Sequence, residues 1–504
     1  MEPARRQRFP YPTGSMGSAR DSSHDSAPTR GISQADAKKQ AIRNHFDSCA
    51  RWRAEWEERA RGYYDDQIRY FRFLVPEGLR VLEIGAGLGN LLAAVNPVRG
   101  VGIELSTQMA KRAARRHPKL EFRVDDVETL EIDETFDVII LADVVGYLHD
   151  VEATLRRLHQ ACTPETRIIV SYYNYLWEPI LRLGERLGMK MPQPELSWLS
   201  PADIVNLLHL ADFDVVKTER RLLVPIHVPL VSSFFNKFLA YLPGFRALCL
   251  CHYVVARPRL REPERPYSTT IVIPCRNERG NIGAAIERIP RLGGRQEILF
   301  VDGHSTDGTQ HEIRRAKAYY PEKNIKLLVQ DGKGKGDAVR KGFAQATGDI
   351  LMILDADLTV PPEDLPKFYD AIASGKGEFI NGCRLVYPME SQAMRTLNLI
   401  GNKFFSLAFS WLLNQQIKDT LCGTKVLFRR DYERLAANRD YFGDFDPFGD
   451  FDLLFGASKL NLHIVEIPIR YQARAYGRTN IQRFAHGWLL LKMTVYGFFR
   501  LKAV

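Results

Sequence analysis

Two doubly wound α/β units in tandem are the fold that this sequence predicts, and three stretches carry the prediction. Ile350–Leu354 is an unbroken apolar run, the pattern of a strand buried on both faces, and it delivers Asp355 and Asp357 at its carboxyl end. Leu79–Ile84 reads as another strand, running straight into a turn with glycines at 85, 87 and 89. Between them, Arg257–Arg265 is charged and proline-bearing, the composition of a linker. The expected organisation is a tail over 1–36, a first unit over 37–257, a linker over 258–266 and a second unit over 267–504.

At 504 residues the chain has room for two well-filled domains, and its 45% hydrophobic and 26% charged content is that of a globular protein. A net charge of +10 suits anionic partners such as nucleotide sugars, lipid phosphates or an anionic membrane face. No basic stripe or nucleic-acid motif accompanies it, so nucleic acid is not an expected partner. The seven cysteines are scattered, without Cys-x-x-Cys, which argues against a zinc site or a disulfide framework. A reduced, cytoplasmic-side location is expected, at the inner face of a membrane if lipid is the substrate. The tail is rich in Arg, Ser, Pro and Gly and reads as disordered rather than as a secretory signal. No uncharged apolar run approaches the ~20 residues that span a bilayer.

In the first unit, helix-like text from Ala37 carries Trp52, Trp56, Tyr63, Tyr64, Tyr70 and Phe73, a mixed spacing typical of core packing. Past the glycine turn, a strand over Gly100–Ile103 ends in Glu104, 19 residues after Gly85. An acid there is placed to accept hydrogen bonds from ribose hydroxyls. A dinucleotide fingerprint would want a third glycine where Asn90 stands, and Glu83 precedes the turn within the strand. Strands over Leu120–Val124 and Phe136–Leu141 lead to Asp125–Glu128 and to Asp143. A fifth, Arg167–Ser171, precedes Tyr172, Tyr173 and Asn174, and Cys249–Ala256 reads as the last strand. His149 has the chemistry of a general base, but a lone histidine there is more often structural, and no catalytic role is assigned to it.

This spacing over residues 79–174 resembles the class I S-adenosylmethionine-dependent methyltransferases, whose fold is Rossmann-like. The resemblance implies that Gly85, Gly87 and Gly89, with Glu83 beside them, hold the methionine portion of the cofactor. It gives Glu104 to the ribose and Asp126 to the adenine amino group, with Val127 alongside. The methyl acceptor is not readable. A doubly wound domain that has lost its cofactor is the competing reading.

In the second unit, a strand over Thr269–Pro274 turns through Cys275–Glu278, and Glu297–Val301 ends in Asp302. An acid at that strand end can accept from the imide N–H of uracil or guanine. After the strand Ile325–Val329 comes Asp331-Gly-Lys-Gly-Lys-Gly-Asp337, whose lysines suit an anionic donor or a solvated loop. Asp355 and Asp357 repel each other unless something positive lies between them. A divalent metal with a diphosphate meets that need, since Mg²⁺ takes one or two carboxylates plus phosphate oxygens.

These stretches together resemble the family 2 glycosyltransferases of the GT-A fold, most like the polyprenyl-phosphate (dolichol-phosphate) mannosyl- and glucosyltransferase branch. The resemblance implies that Pro274, Asn277, Glu278 and Asp302 contact a nucleotide sugar, and Lys335 of the glycine-rich turn is a further candidate for its phosphates. Asp355 and Asp357 then serve Mg²⁺ or Mn²⁺ and the sugar diphosphate, and Asp419–Lys425 lines the donor site. Arg384, Arg395 and Arg478 fall where such enzymes grip a lipid phosphate, a task suited to the planar arginine fork. Phe448–Asp452 resembles the segment that brings acids to the acceptor, with Asp450 the first choice for general base and Asp452 the second. Two departures stand out: Gly303 replaces a second acid after Asp302, and Thr479-Asn480 replaces Ser-Lys.

Three apolar stretches remain. Leu222–Phe245 reads as a lid or core helix, or as an interfacial amphipathic one; Leu397–Leu413 and Trp488–Phe499 also suit the interface. The expected protein is bifunctional. It combines metal-dependent, inverting sugar transfer to a polyprenyl phosphate or other membrane lipid with methyl transfer to an unidentified acceptor. The alternative is a glycosyltransferase acting on a glycan or protein, with the first half a docking module.

Overall fold

The computed structural model describes residues 34–226, 228, 230–259, 265–387, 396–441, 449–472, 474, 476 and 483–503. Most of the expected tail, the centre of the linker, Arg395 and Arg478 lie outside these residues.

Seven strands form the first sheet: β1 (Arg80–Ile84), β2 (Arg99–Glu104), β3 (Glu121–Val124), β4 (Phe136–Ala142), β5 (Cys162–Tyr173), β6 (Phe213–Arg221) and β7 (Cys251–Pro258). Their order is β3-β2-β1-β4-β5-β7-β6. The first five are parallel, and β7 runs antiparallel to both neighbours. The second sheet holds β8 (Thr269–Cys275), β9 (Gln296–Asp302), β10 (Asn324–Val329), β11 (Ile350–Ile353), β12 (Phe379–Cys383), β13 (Lys425–Phe428) and β14 (Ile464–Pro468). Here the order is β10-β9-β8-β11-β13-β12-β14, with β13 antiparallel to β11 and β12. Both sheets are therefore mixed, each with a parallel doubly wound core. In each, strand order reverses beside the first strand, between β1 and β4 and between β8 and β11, and ligands of such sheets bind at that switch point.

β11 is buried at every position, as its apolar run requires. β6 is different, and the sequence does not announce it. Side chains alternate faces along a strand, so Lys217, Glu219 and Arg221 share one face. All three are buried, because that face meets the second half of the chain. Glu219 Oε2 receives Lys502 Nζ at 2.5 Å and Asn414 Nδ2 at 2.6 Å. Lys217 Nζ donates to Ser458 O at 3.1 Å, and Arg221 pairs with Asp66 at 3.2 Å. Arg167 adds a buried pair to Glu378 at 2.7 Å and a bond to Asn461 O at 2.8 Å. Around these bonds one apolar cluster is continuous from Tyr70, Phe71 and Tyr253 to Phe409, Leu453 and Leu501.

Breaking a buried pair strands its partner's charge, which costs more than the intact pair gains. Against the raising effect of burial, Lys502 and Arg246 hold the Glu219 carboxyl below its ordinary range. Glu219→Ala, which leaves Lys502 unpaired in the junction, is expected to lower stability by about 3–5 kcal/mol in urea unfolding. A loss under about 1 kcal/mol would show that water reaches this junction.

Candidate functional site

At the first switch point the loops after β1, β2, β3 and β4 border a cleft of about 210 Å³, partly open to solvent. Gly85, Gly87 and Gly89 all take positive φ (73°, 54° and 72°). At Gly85 a side chain would also strike Val144, 2.7 Å away, which follows β4. The turn thus keeps bare backbone along the cleft.

Glu104, at the end of β2, accepts from Gly87 N at 2.8 Å and Ser106 N at 2.9 Å. Burial raises its pKa, and these backbone donors oppose the rise. Glu83 accepts from Leu92 N at 3.0 Å, and burial pushes its carboxyl up to about 8. Asp126 and Val127 line the same cleft, and Asp126 is bridged at 2.6 Å by Lys39 from the helix Gln34–Cys49 that covers it. Seven acids face this space (Glu57, Glu83, Glu104, Asp125, Asp126, Glu128 and Asp143) against two cations, Lys39 and Arg53.

Sequence reasoning stopped β4 at Asp143 and gave that residue no role. It has φ +56° and lines the cleft, with Oδ2 accepting from Tyr63 Oη at 2.5 Å and Gln67 Nε2 at 2.9 Å. Its Oδ1 is buried without a partner. Tyr63 and Gln67 are four apart on the helix Arg61–Leu74, so they share a face, and that spacing was the signal available. Arg53, Tyr64, Tyr147 and Tyr173 complete the wall near Asp143. His149 is exposed, and its backbone N–H donates to Glu128.

At the second switch point five side chains form two ion-paired groups. Asp355 pairs with Lys335 at 2.6 Å, and Asp357 pairs with Arg474 at 2.6 Å, which also reaches Glu278 at 3.2 Å. Burial tends to raise the Asp355 carboxyl, but Lys335, Lys425 and Arg384 hold it below its usual range. Gly423 closes the group: a Cβ there would fall on the Asp355 carboxylate and Lys335 Nζ. Among the described residues no three His, Cys, Asp or Glu side chains cluster as a ready metal cage. Two carboxylates completed by phosphate oxygens are nonetheless what Mg²⁺ takes, so the donor set fits.

Asp302, at the end of β9, is fully buried; its Oδ2 accepts from Ser305 N and Gln310 Nε2, and its Oδ1 has no partner. Pro274 pairs with Val301 across β8 and β9. Asn277, with φ +58°, accepts from Thr306 N at 2.9 Å and so shapes the loop. Arg384 spends two N–H groups on Asp419, both at 2.7 Å. Asp452 is held by Arg439 at 3.0 Å. Asp450 opens the helix Asp450–Lys459, and the preceding Gly449 packs so closely that its Cβ would lie 2.7 Å from Gly336, next to Lys335. That helix therefore starts beside the Asp355 group.

Comparison with known proteins agrees with this division. Residues 270–435 match the model for glycosyl transferase family 2, and residues 56–218 match a methyltransferase domain. A dolichyl-phosphate hexose transferase of Haloferax volcanii is 30% identical over 226 residues, 45% of this chain and 91% of that protein. Glycosyltransferase AglJ of the same organism is 28% identical over 227 residues, 45% of this chain and 70% of the relative. Among solved structures, glucosyl-3-phosphoglycerate synthase from Mycobacterium tuberculosis, crystallised with Mn²⁺ and UDP, aligns at 17% identity and a TM-score of 0.36, covering 47% of this chain and 80% of that one. The chain belongs to glycosyltransferase family 2 through its second half, and its first half is a methyltransferase domain.

Glu83 yields a prediction independent of any ligand. Its folded pKa of about 8 lies above the ~4.3 of an unfolded glutamate, so folding takes up a proton between those values. Its contribution to stability is present below about pH 4 and is lost as pH rises towards 8. Glu83→Gln, which cannot ionise, should remove that part of the decline in thermal stability between pH 5 and 8. Parallel wild-type and variant profiles would mean that Glu83 is ionised throughout.

Proposed function

We propose that the second half transfers a hexose from a nucleotide sugar to a lipid phosphate with inversion, and that the first half transfers a methyl group from S-adenosylmethionine. The observation that carries the sugar-transfer reading is the pairing of Asp355 with Lys335 and Asp357 with Arg474 around Gly423. Each acid already holds a cation of this chain, and each cation has the charge to take a diphosphate oxygen when a donor arrives. Asp357, with Asp355, would hold Mg²⁺ or Mn²⁺, which bound there supplies charge neutralisation for the leaving diphosphate. Lys335 and Arg474 then move from carboxylate to phosphate oxygens, and Gly423 keeps the space free of a side chain. The partnerless Oδ1 of Asp302 suits the imide N–H of a uracil or guanine ring.

The acceptor oxygen attacks the anomeric carbon as the bond to the diphosphate oxygen breaks on the opposite face. Asp450 is the first choice for positioning that oxygen, a reading supported by the start of its helix against Gly336 and by the pairing of Asp452 with Arg439. A phosphate acceptor is already anionic, so orientation counts for more than proton removal. A lipid-phosphate acceptor is supported by the likeness to the dolichyl-phosphate hexose transferase. Arg384 contributes by fixing Asp419 and, through its remaining N–H groups, by meeting the acceptor phosphate; Arg395 and Arg478 are proposed to assist.

In the first half, the acid-rich cleft suits a sulfonium and an ammonium. Glu104 would take the ribose, Asp126 with Val127 the adenine, and the Gly85–Gly89 backbone the methionine end, near Glu83. Asp143, which lines the same cleft, would hold the ammonium or receive a proton from the methyl acceptor.

Purified protein should transfer sugar to a polyprenyl phosphate only with Mg²⁺ or Mn²⁺ present. Asp357→Ala and Gly423→Ala should each cut turnover by about 10²–10³-fold or more. Equal turnover after chelation would end the metal assignment. For the other half, calorimetry should register S-adenosylmethionine binding that weakens at least about tenfold in Glu104→Ala, a loss of ~1.4 kcal/mol. Unchanged affinity would remove Glu104 from the cofactor site.

A further inference from the structure

Three segments far apart in sequence share an unusual composition. Residues 222–250, 391–418 and 481–504 contain no Asp or Glu at all, in a chain with 60 of them. Their charges are Lys237, Arg246, Lys403, Lys418, Arg483, Lys492, Arg500 and Lys502, with Arg395 outside the described residues. The fold brings the three together. Phe238 of the first half meets Phe498 and Phe499 of the second, ring centres 6.0 and 6.5 Å apart. Trp411, on the helix Thr396–Leu413, stacks on Phe498 at 5.7 Å and donates from Nε1 to Tyr241 O at 3.1 Å.

The outer side of this assembly also carries large apolar side chains. On the helix Arg483–Gly497 the buried face carries Leu490, Met493 and Gly497, packed against Leu412 and Phe455. Its exposed face carries Trp488, Leu491 and Val495, continued by Phe499 one turn on, with Trp488 60% exposed. Helical spacing puts these four on one stripe. Phe404 and Leu407 lie exposed on the neighbouring helix, and Leu407 is 73% exposed. From the first half, Leu230 (87% exposed), Val231, Phe234 and Phe238 extend the same surface. A water-facing surface with aromatic and aliphatic side chains, lysines and arginines but no acids has the make-up of an interfacial element.

We infer that the protein seats on an anionic lipid bilayer through one continuous face to which the methyltransferase half contributes the Leu230–Phe238 segment. Charge complementarity picks this occupant: a second copy would meet cations with cations, whereas anionic headgroups neutralise Lys237, Lys403, Lys492 and Arg500. The inference builds on the lipid-phosphate reading of the glycosyltransferase site. It adds that the methyltransferase half is also fixed at the membrane, so its acceptor is carried on a lipid or presented at that surface.

The test is flotation of the full chain on vesicles of phosphatidylcholine alone or with about one-third phosphatidylglycerol, a lipid choice that makes the surface anionic. Wild type should float with the anionic vesicles, at least tenfold more than with neutral ones, and less as salt rises. The double variant Phe234→Asp/Phe238→Asp should lose most of this partition, as should Trp488→Asp. Both leave S-adenosylmethionine affinity and thermal stability as controls of folding. Flotation of the Phe234/Phe238 variant at the wild-type level, or wild type remaining at the bottom, would overturn the inference. So would a dimer in sedimentation that these substitutions dissociate, because the face would then belong to a second copy. Sugar transfer to polyprenyl phosphate in detergent micelles separates the two levels. Transfer without flotation rejects the docking face alone, whereas flotation without transfer rejects the acceptor reading.

Discussion

The pairing of Glu219 with Lys502 is the interaction on which the arrangement of the two halves depends. Glu219 sits on β6, at the edge of the first sheet, and Lys502 lies near the end of the chain, 283 residues later. Their 2.5 Å contact is buried, and it also engages Asn414 and Arg246. A buried ion pair is a poor source of net stability, but it penalises every arrangement that leaves either charge alone. The pair therefore disfavours docking geometries that separate Glu219 from Lys502. The final helix must return to β6, and by doing so it carries the Trp488–Phe499 stripe to the flank of the first half.

Both candidate sites use carboxylates at strand ends beside a topological switch point, but they neutralise them differently. In the methyltransferase cleft the acids outnumber the cations, and burial leaves Glu83, Glu104 and Asp143 with raised pKa values. Burial there favours the neutral form of these acids. In the glycosyltransferase site the acids are already paired, by Lys335 and Arg474. There the pairing with cations offsets the repulsion between the two acids.

How much of this was legible in the sequence follows from what each residue's neighbours are. Strands that bury apolar side chains on both faces, such as β1, β4 and β11, announce themselves, and so do the acids at their ends. β6 did not, because its inward residues are Lys217, Glu219 and Arg221, and a charged strand face looks solvated until the partner half is in place. The mixed character of the sheets was hidden for a related reason: β7 and β13 are buried strands whose direction depends on connections, not on composition. Asp143 was visible only as a strand-end acid and Gly423 only as part of Asp419–Lys425, because an unshared oxygen and an absent side chain are properties of three-dimensional surroundings.

The acid-free segments can be understood from the same electrostatic standpoint. On other parts of the surface Asp and Glu are mixed with Lys and Arg, as in the networks of Arg99, Arg123 and Glu134. A face that only needed solubility would gain from such mixing, since acids beside cations suppress non-specific association. Excluding acids from three segments, while exposing Phe234, Leu407 and Trp488, gives up that protection. The omission makes physical sense where the opposing surface is itself negative, because each added acid would then repel the partner as well as expose charge to an apolar boundary. The two halves share this omission across their joint, which ties the composition to the assembled surface and not to either domain alone.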